Sequence, residues 1–294
     1  MQDPERYERV RNNSSTKITV EVYVPKILNT MTWKTGENLL DYGSGAGSTG
    51  YNWVLPKVEE CNSHMYSVDV SPKMLAYAKQ HFPHDRITYG LGNILDWDGL
   101  EFPFRNVKFD KIIAINVFHF IRHMRTALAG LHRILKPGGQ IGFTIALADC
   151  CIFQAFTELA ESESWKNYMR DYRRFYPQWS EFPKGEEHKA MTELMESCGF
   201  KVVQMEFILR SYQFDTIEDF LDLSLSLNPC IDNIPKSLHG ALKEDIRKIY
   251  TRNAGIPRDS KQIDFQYRFI WGVVEKAMVG KRANRFSLER SFSY

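Results

Sequence analysis

With 294 residues, a net charge of +2, 43% hydrophobic and 25% charged residues, the chain has the make-up of a globular protein and neither a disordered nor a fibrous one. The small charge, without a basic stretch interleaved with aromatics in the body of the chain, argues against nucleic acid as partner and for a small-molecule ligand. No run reaches the roughly 18 apolar residues of a membrane span, and MQDPERYERV lacks a signal peptide's apolar region, so no integral membrane contact is expected and the cytosol is the expected location.

In chain order, the polar N-terminal stretch Tyr7 to Thr32 holds Val20, Val22, Val24, Ile27 and Leu28. These could form one apolar helical face, interrupted at Pro25. From Asn38 short apolar runs alternate with helical segments: NLLDYG, HMYSVDV, RITYGLGN, FDKIIAINV and GQIGFTIAL. That alternation predicts a parallel sheet with crossover helices. Trp97 to Lys108, with Gly99 and Pro103, reads as loop. Met124, Leu128, Leu131 and Leu135 carry helical spacing that ends at KPGG.

Beyond about Ala148 aromatics crowd an otherwise charged segment, which predicts a helical insertion. Glu187 to Cys198 reads as a helix stopped by Gly199, and Phe200 to Phe214 as a strand or hairpin arm. Thr216 to Arg252 is helical again, broken at Pro229 and Pro235. Ile263 to Glu275 is a long strand that would close the sheet as an antiparallel edge. The tail holds Lys281, Arg282, Arg285 and Arg290 without periodicity, so disorder is the expectation, with contact to a membrane surface as an alternative. The domain division is thus an N-terminal helical cap (1–36), a core (37–149), a helical insertion (150–186), a core helix and strand (187–214), a second helical insertion (215–262), a closing strand (263–277) and a basic tail (278–294). Five cysteines without CxxC spacing suggest neither a disulfide framework nor a zinc site, so no metal is expected. The sequence leaves the oligomeric state open.

The first strand runs into Asp41-Tyr42-Gly43-Ser44-Gly45-Ala46-Gly47-Ser48-Thr49-Gly50. Glycines there let the backbone pass closely under a ligand, and a helix beginning just beyond offers free N–H groups. Alone, the glycine pattern also fits a dinucleotide site. Asp41 decides against that, because a carboxylate two residues before the first glycine repels a pyrophosphate but attracts a cation. The second strand ends at Asp69, followed by Val70 and, further on, Met74, which puts a carboxylate at the sheet edge to accept ribose hydroxyls. Asn93 and Ile94 after the third strand are placed to bond an adenine amine, and Asn116 at the end of the fourth strand to line the same pocket.

DxGSGxG, VDVSPKML, GN and LKPGG in this order resemble the class I S-adenosylmethionine methyltransferases. The resemblance implies a Rossmann-like seven-stranded, mostly parallel sheet of order 3-2-1-4-5-7-6, with helical insertions as a substrate cap. It also implies S-adenosylmethionine as cofactor, held by Asp41, Gly43, Ser44, Gly45, Asp69, Val70, Met74, Asn93, Ile94 and Asn116. Beyond the core, the chain resembles the juvenile hormone acid O-methyltransferase family along nearly its whole length. The matching phrases are Tyr7 with Asn12-Asn13-Ser14-Ser15, Val117-Phe118-His119-Phe120-Ile121-Arg122, Trp165-Lys166-Asn167-Tyr168-Met169 with Arg174-Phe175-Tyr176-Pro177, and Leu227-Asn228-Pro229 with Asn233-Ile234-Pro235-Lys236.

That resemblance implies methyl esterification of a lipophilic isoprenoid or fatty acid. His119 and Thr16 are the candidate catalytic residues, and Phe120, Trp165, Tyr168, Phe175 and Tyr176 the candidate substrate walls. The family usually has Gln and Trp where this chain has Thr16 and Phe120. Thr reaches less far than Gln, and Phe lacks the indole donor. Two other readings stay open at this point: N- or O-methylation of another small acceptor, and a silent lipid-binding or interaction protein on the same fold.

Overall fold

The computed structural model describes residues 3–12, 15–96, 102–214, 216–260 and 263–278. The first part of the predicted loop (97–101) and all but the first residue of the predicted basic tail (279–294) lie outside them. Seven strands form one sheet: β1 (Asn38–Tyr42), β2 (His64–Asp69), β3 (Ile87–Leu91), β4 (Phe109–Ile115), β5 (Leu135–Ala146), β6 (Phe200–Phe214) and β7 (Ile263–Lys276). Their order is β3-β2-β1-β4-β5-β7-β6, as expected from the sequence. The β3-β2-β1-β4-β5 part is parallel, and β7 runs antiparallel to both neighbours.

β7 is therefore interior and not the edge; the edge is β6, whose 15 residues alternate between exposed and partly buried positions. The sequence itself carries the reason. IDFQYRFIWGVVE has apolar residues pointing both ways, and Phe269, Ile270, Trp271, Val273 and Val274 are all nearly inaccessible, so both faces of β7 are covered.

Among the described residues ten α-helices surround the sheet. α1 (Pro4–Arg11), α2 (Ser15–Ile18) and α3 (Val24–Thr30) make up the N-terminal cap, followed by α4 (Leu55–Glu60), α5 (Pro72–His81), α6 (Met124–Ile134), α7 (Cys151–Glu161), α8 (Glu187–Ser197), α9 (Ile217–Leu227) and α10 (His239–Ala254). Between α2 and α3 the chain makes a π-helical turn at Thr19–Tyr23. Pro25 does not break the apolar face: it takes a position in the first turn of α3, where its missing N–H costs nothing. Val20, Val24, Ile27 and Leu28 are buried on that face as the periodicity predicts, with Val22 half-buried.

Local signals explain the other boundaries. Ser71 caps α5 by accepting the Met74 N–H at 3.3 Å, and Thr216 caps α9 by accepting that of Asp219 at 3.2 Å. Gly199 ends α8 with φ +86°, a conformation that favours glycine. The 150–186 insertion is helical only in α7. After Ser162 it continues as turns and two short 3₁₀ segments, because Pro177 and Pro183 deny it a continuous hydrogen-bond ladder.

Two apolar layers enclose the sheet. One joins the N-terminal helices to α7, α9, α10 and the aromatic side chains of β7. The other packs α6 and α8 on the opposite face. In α6 the apolar stripe Ala127, Leu128, Leu131 and Ile134 is buried, while Arg125 and Arg133 face solvent. The insertions thus stand over the C-terminal ends of the parallel strands, where a doubly wound sheet binds its ligands.

Candidate active site

The glycine loop leaves β1 with Gly43 and Gly45 at φ +70° and +57°. A Cβ on Gly43 would lie 2.5 Å from Val117 Cγ2, so any side chain there would push β4's exit away from the loop. Ser44 Oγ is buried and has no partner in the protein, which leaves a polar atom for a ligand to satisfy. Asp69 organises the loop from the neighbouring strand. Its Oδ2 accepts the Gly45 N–H at 2.9 Å and its Oδ1 that of Ser71 at 2.8 Å. Both oxygens keep lone pairs for further donors. Burial is the largest influence on this carboxyl and raises its pKa, against the lowering effect of the two N–H bonds.

Asp41 takes a different place from the one its sequence position suggests. Its carboxylate lies under the turn that begins at Gly50, where a Cβ would come within 2.6 Å of Oδ2, and it accepts the Ser67 hydroxyl at 3.4 Å. Burial pushes its pKa up to about 7. It underlies the loop and is only 5% exposed. Val70 beside Asp69 is 61% exposed, an apolar flank for a planar group, whereas Met74 is buried in the core under α5. Asn93 Oδ1 accepts the Leu95 N–H at 3.0 Å. Ile94 has its side chain fully buried, and its N–H bonds the Tyr42 hydroxyl.

Next to this loop a cavity, partly open to solvent, lies between the ends of β4 and β5, the N-terminal cap, the first turn of α7, α9 and β7. Its polar lining is Tyr7, Thr19, Asn116, His119 and Tyr267; Phe120, Ala146, Cys150, Ile152, Phe153, Leu223, Leu227 and Phe265 supply the rest. None of these described lining residues is an Asp, Glu, Lys or Arg. Thr19 and Tyr267 hydrogen-bond each other.

Asn116 is one of two non-glycine residues among those described with positive φ, at +57°. Thr144 holds it there: the hydroxyl accepts the Asn116 N–H at 2.9 Å and donates to Oδ1 at 3.0 Å. With its oxygen engaged, the amide NH₂ is the group left for a ligand. His119 Nδ1 accepts the Ala146 N–H at 3.2 Å, which puts the ring proton on Nε2. Burial pushes its pKa down to about 3, so the ring is neutral at physiological pH. Tyr7 lies over the glycine loop, 3.9 Å from where a Gly45 Cβ would be. Its pKa is pushed up to about 12, chiefly by burial, so it keeps its phenolic proton.

Of the predicted wall residues only Phe120 faces this cavity. Trp165 is in the core, its indole donating to Asp245 Oδ2 at 2.9 Å. Tyr168 packs on Trp165, Tyr176 on Tyr172, and Phe175 is half-buried away from the lining. Thr16 falls within α2, but its side chain is outside what is described. The apolar wall comes instead from α7, α9 and β7. No periodic signal distinguishes Phe153, Leu223, Leu227 or Phe265 from ordinary core residues in the sequence.

Residues 40–143 match the family model described as a methyltransferase domain. That span is the one that builds β1, the glycine loop, Asp69 and Asn116 in the topology above. The chain is a class I S-adenosylmethionine-dependent methyltransferase. It is similar to juvenile hormone acid O-methyltransferase of Drosophila melanogaster, at 23% identity over 79% of this chain and 78% of that protein. It is also similar to malonyl-[acyl-carrier protein] O-methyltransferase of Acetivibrio thermocellus, at 23% identity over 74% and 73%. Among solved structures, phosphoethanolamine N-methyltransferase 2 of Haemonchus contortus shares the fold, with a TM-score of 0.53 and 17% identity, over 94% of this chain and 57% of that one. The residues of this methyltransferase fit its cofactor: a glycine loop with an unpartnered buried hydroxyl at Ser44, and a carboxylate at Asp69 with acceptor capacity to spare. No described group of three or more His, Cys, Asp or Glu could hold a metal, and no described helix is long and apolar enough to cross a membrane.

Proposed function

We propose that this methyltransferase esterifies the carboxylate of a lipophilic acid of the isoprenoid or fatty type. One observation carries the reading: His119 is neutral, with Nδ1 occupied by the Ala146 N–H and the proton on Nε2. Neither ring nitrogen has a lone pair free to take a proton from an alcohol or an ammonium. Both His119 Nε2 and the protonated Tyr7 hydroxyl are donors. A carboxylic acid suits such a site, because at pH 7 it is already ionised and is its own nucleophile.

When bound, S-adenosylmethionine would supply the methyl group on a sulfonium, held by Asp69, Ser44 and the glycine loop. The chain's task is to orient the acceptor oxygen. His119 Nε2, the Asn116 amide and Tyr7 hold the acceptor oxygens, and Ile152, Phe153, Leu223, Leu227 and Phe265 surround its chain. A carboxylate and a sulfonium would attract each other, and a cavity lined by no ionised side chain among the described residues would leave that attraction uncontested. Phe120 fits this picture as apolar wall. Phe120 brings no indole donor, so Tyr7, Asn116 and His119 carry the hydrogen bonds to the acceptor.

Both relatives are named for O-methylation, which supports the reading. Transfer of labelled methyl to dodecanoic acid, farnesoic acid and a primary amine of similar length tests it. The expected product is base-labile and releases labelled methanol; a base-stable product from the amine would overturn the acid reading.

A further inference from the structure

The N-terminal helix touches both ligand sites through a short set of polar contacts. On the cofactor side, the Ser48 hydroxyl donates to Glu8 at 2.7 Å and Arg11 Nη1 donates to Thr49 at 3.2 Å. Tyr7, next to Glu8 on α1, packs over Gly45. On the acceptor side, Arg6 Nη2 donates to Asp222 of α9 at 2.6 Å, and Lys243 of α10 pairs with the same oxygen at 2.7 Å. The residue after Asp222 is Leu223, which lines the acceptor cavity, as does Tyr7 itself.

One helix of 8 residues is therefore fastened to the cofactor loop at one end of its contacts and to the acceptor cap at the other. So short a helix has little stability of its own, so its position depends on what holds it. Whatever seats Tyr7 against the loop also seats Arg6 against α9. Arg6 Nε is buried without a partner, so the guanidinium's hold on α9 depends on Nη2.

We propose that Tyr7 is a wall shared by cofactor and acceptor, and that the Arg6–Asp222 pair is the link through which each ligand seats the other. Arg6 and Asp222 are positioning residues, and Tyr7 is the specificity-determining one. Cofactor binding orders α1 and, through Arg6, steadies α9 and the Leu223 wall; an acceptor that fills the cavity holds α9 and thereby α1 over the cofactor. Such coupling is reciprocal in binding free energy. The acceptor half rests on the lipophilic-acid reading, but the link does not.

Hydrogen exchange of the full chain with S-adenosylhomocysteine tests the link without any acceptor. In the native sequence, the product is expected to slow exchange of the α9 amides from Phe220 to Leu227 at least fivefold. In Arg6→Gln that protection is lost, while product affinity stays within threefold and α5 is protected as before. Lys243→Gln, which leaves Arg6 on Asp222, retains it. Exchange in α9 that ignores the product in the native chain, or that responds equally in Arg6→Gln, overturns the link. For Tyr7, calorimetry with dodecanoic acid on the product complex is expected to show tenfold weaker acid binding in Tyr7→Phe, which keeps the ring and removes only the hydroxyl. Equal acid binding by Tyr7→Phe overturns its role. If the native chain binds no acid while α9 still responds to the product, the acid reading and Tyr7's part in acid selection fail and the link stands.

Discussion

The cofactor side and the acceptor side of this methyltransferase are built on opposite principles. On the cofactor side, a few residues close in sequence hold a fixed geometry by backbone contacts: Asp69 binds the Gly45 and Ser71 amides, and Ser71 caps the helix that follows. On the acceptor side, side chains from the N-terminal cap to β7 meet across the whole chain, and few of them are polar. The first arrangement recognises one ligand and tolerates little change. The second can be reshaped by single substitutions without loss of fold.

Substitutions should separate the two. The largest effect is expected for Asp69→Ala, which removes the ribose acceptor and leaves two loop amides without their partner; calorimetry should show S-adenosylmethionine affinity falling at least about 100-fold. Retained affinity would refute the assignment of Asp69. Next, His119→Ala should lower acceptor turnover by about 100-fold through loss of the Nε2 donor, with cofactor affinity unchanged within about threefold. If both fell together, His119 would be supporting the fold and not the acceptor alone. Leu227→Trp, in the apolar wall, should reduce kcat/KM for a long acid by about tenfold relative to a short one, read from competing substrates.

The smallest effect concerns Asp41. Its folded pKa of about 7 lies above its ordinary value, so the fold favours the protonated form. That stabilisation is complete at low pH and is lost as pH rises towards 7. Asp41→Asn does not titrate, so without cofactor its melting temperature relative to the native chain should rise by on the order of 5 °C between pH 5 and pH 8. A pH-independent difference would mean that Asp41 is ionised throughout.

The core was legible where local rules operate. The glycine pattern, the strand-terminal Asp69 and the Ser-Pro start of α5 each carry their geometry within a few residues, and the structure brings Ser44, Gly45 and Asp69 together. Asp41 was legible as a carboxylate before the glycine loop, but not that its side chain lies under Gly50, because a residue's face in a two-sided buried strand depends on what packs on each side. The acceptor wall was less legible. Trp165 and Tyr176 stood out by composition and went to the core, while Leu223 and Leu227 look like any apolar helix positions and line the cavity.

What the sequence by itself determined is the order of strands and helices, the crossover topology and the donor loop, since these follow from periodicity, turn chemistry and spacing along the chain. Tertiary structure alone decided that Ala146 fixes the tautomer of His119 and that Tyr7 sits between the two sites. Each of these depends on which distant segments meet, and a buried imidazole or phenol has its protonation set by neighbours hundreds of atoms away along the chain.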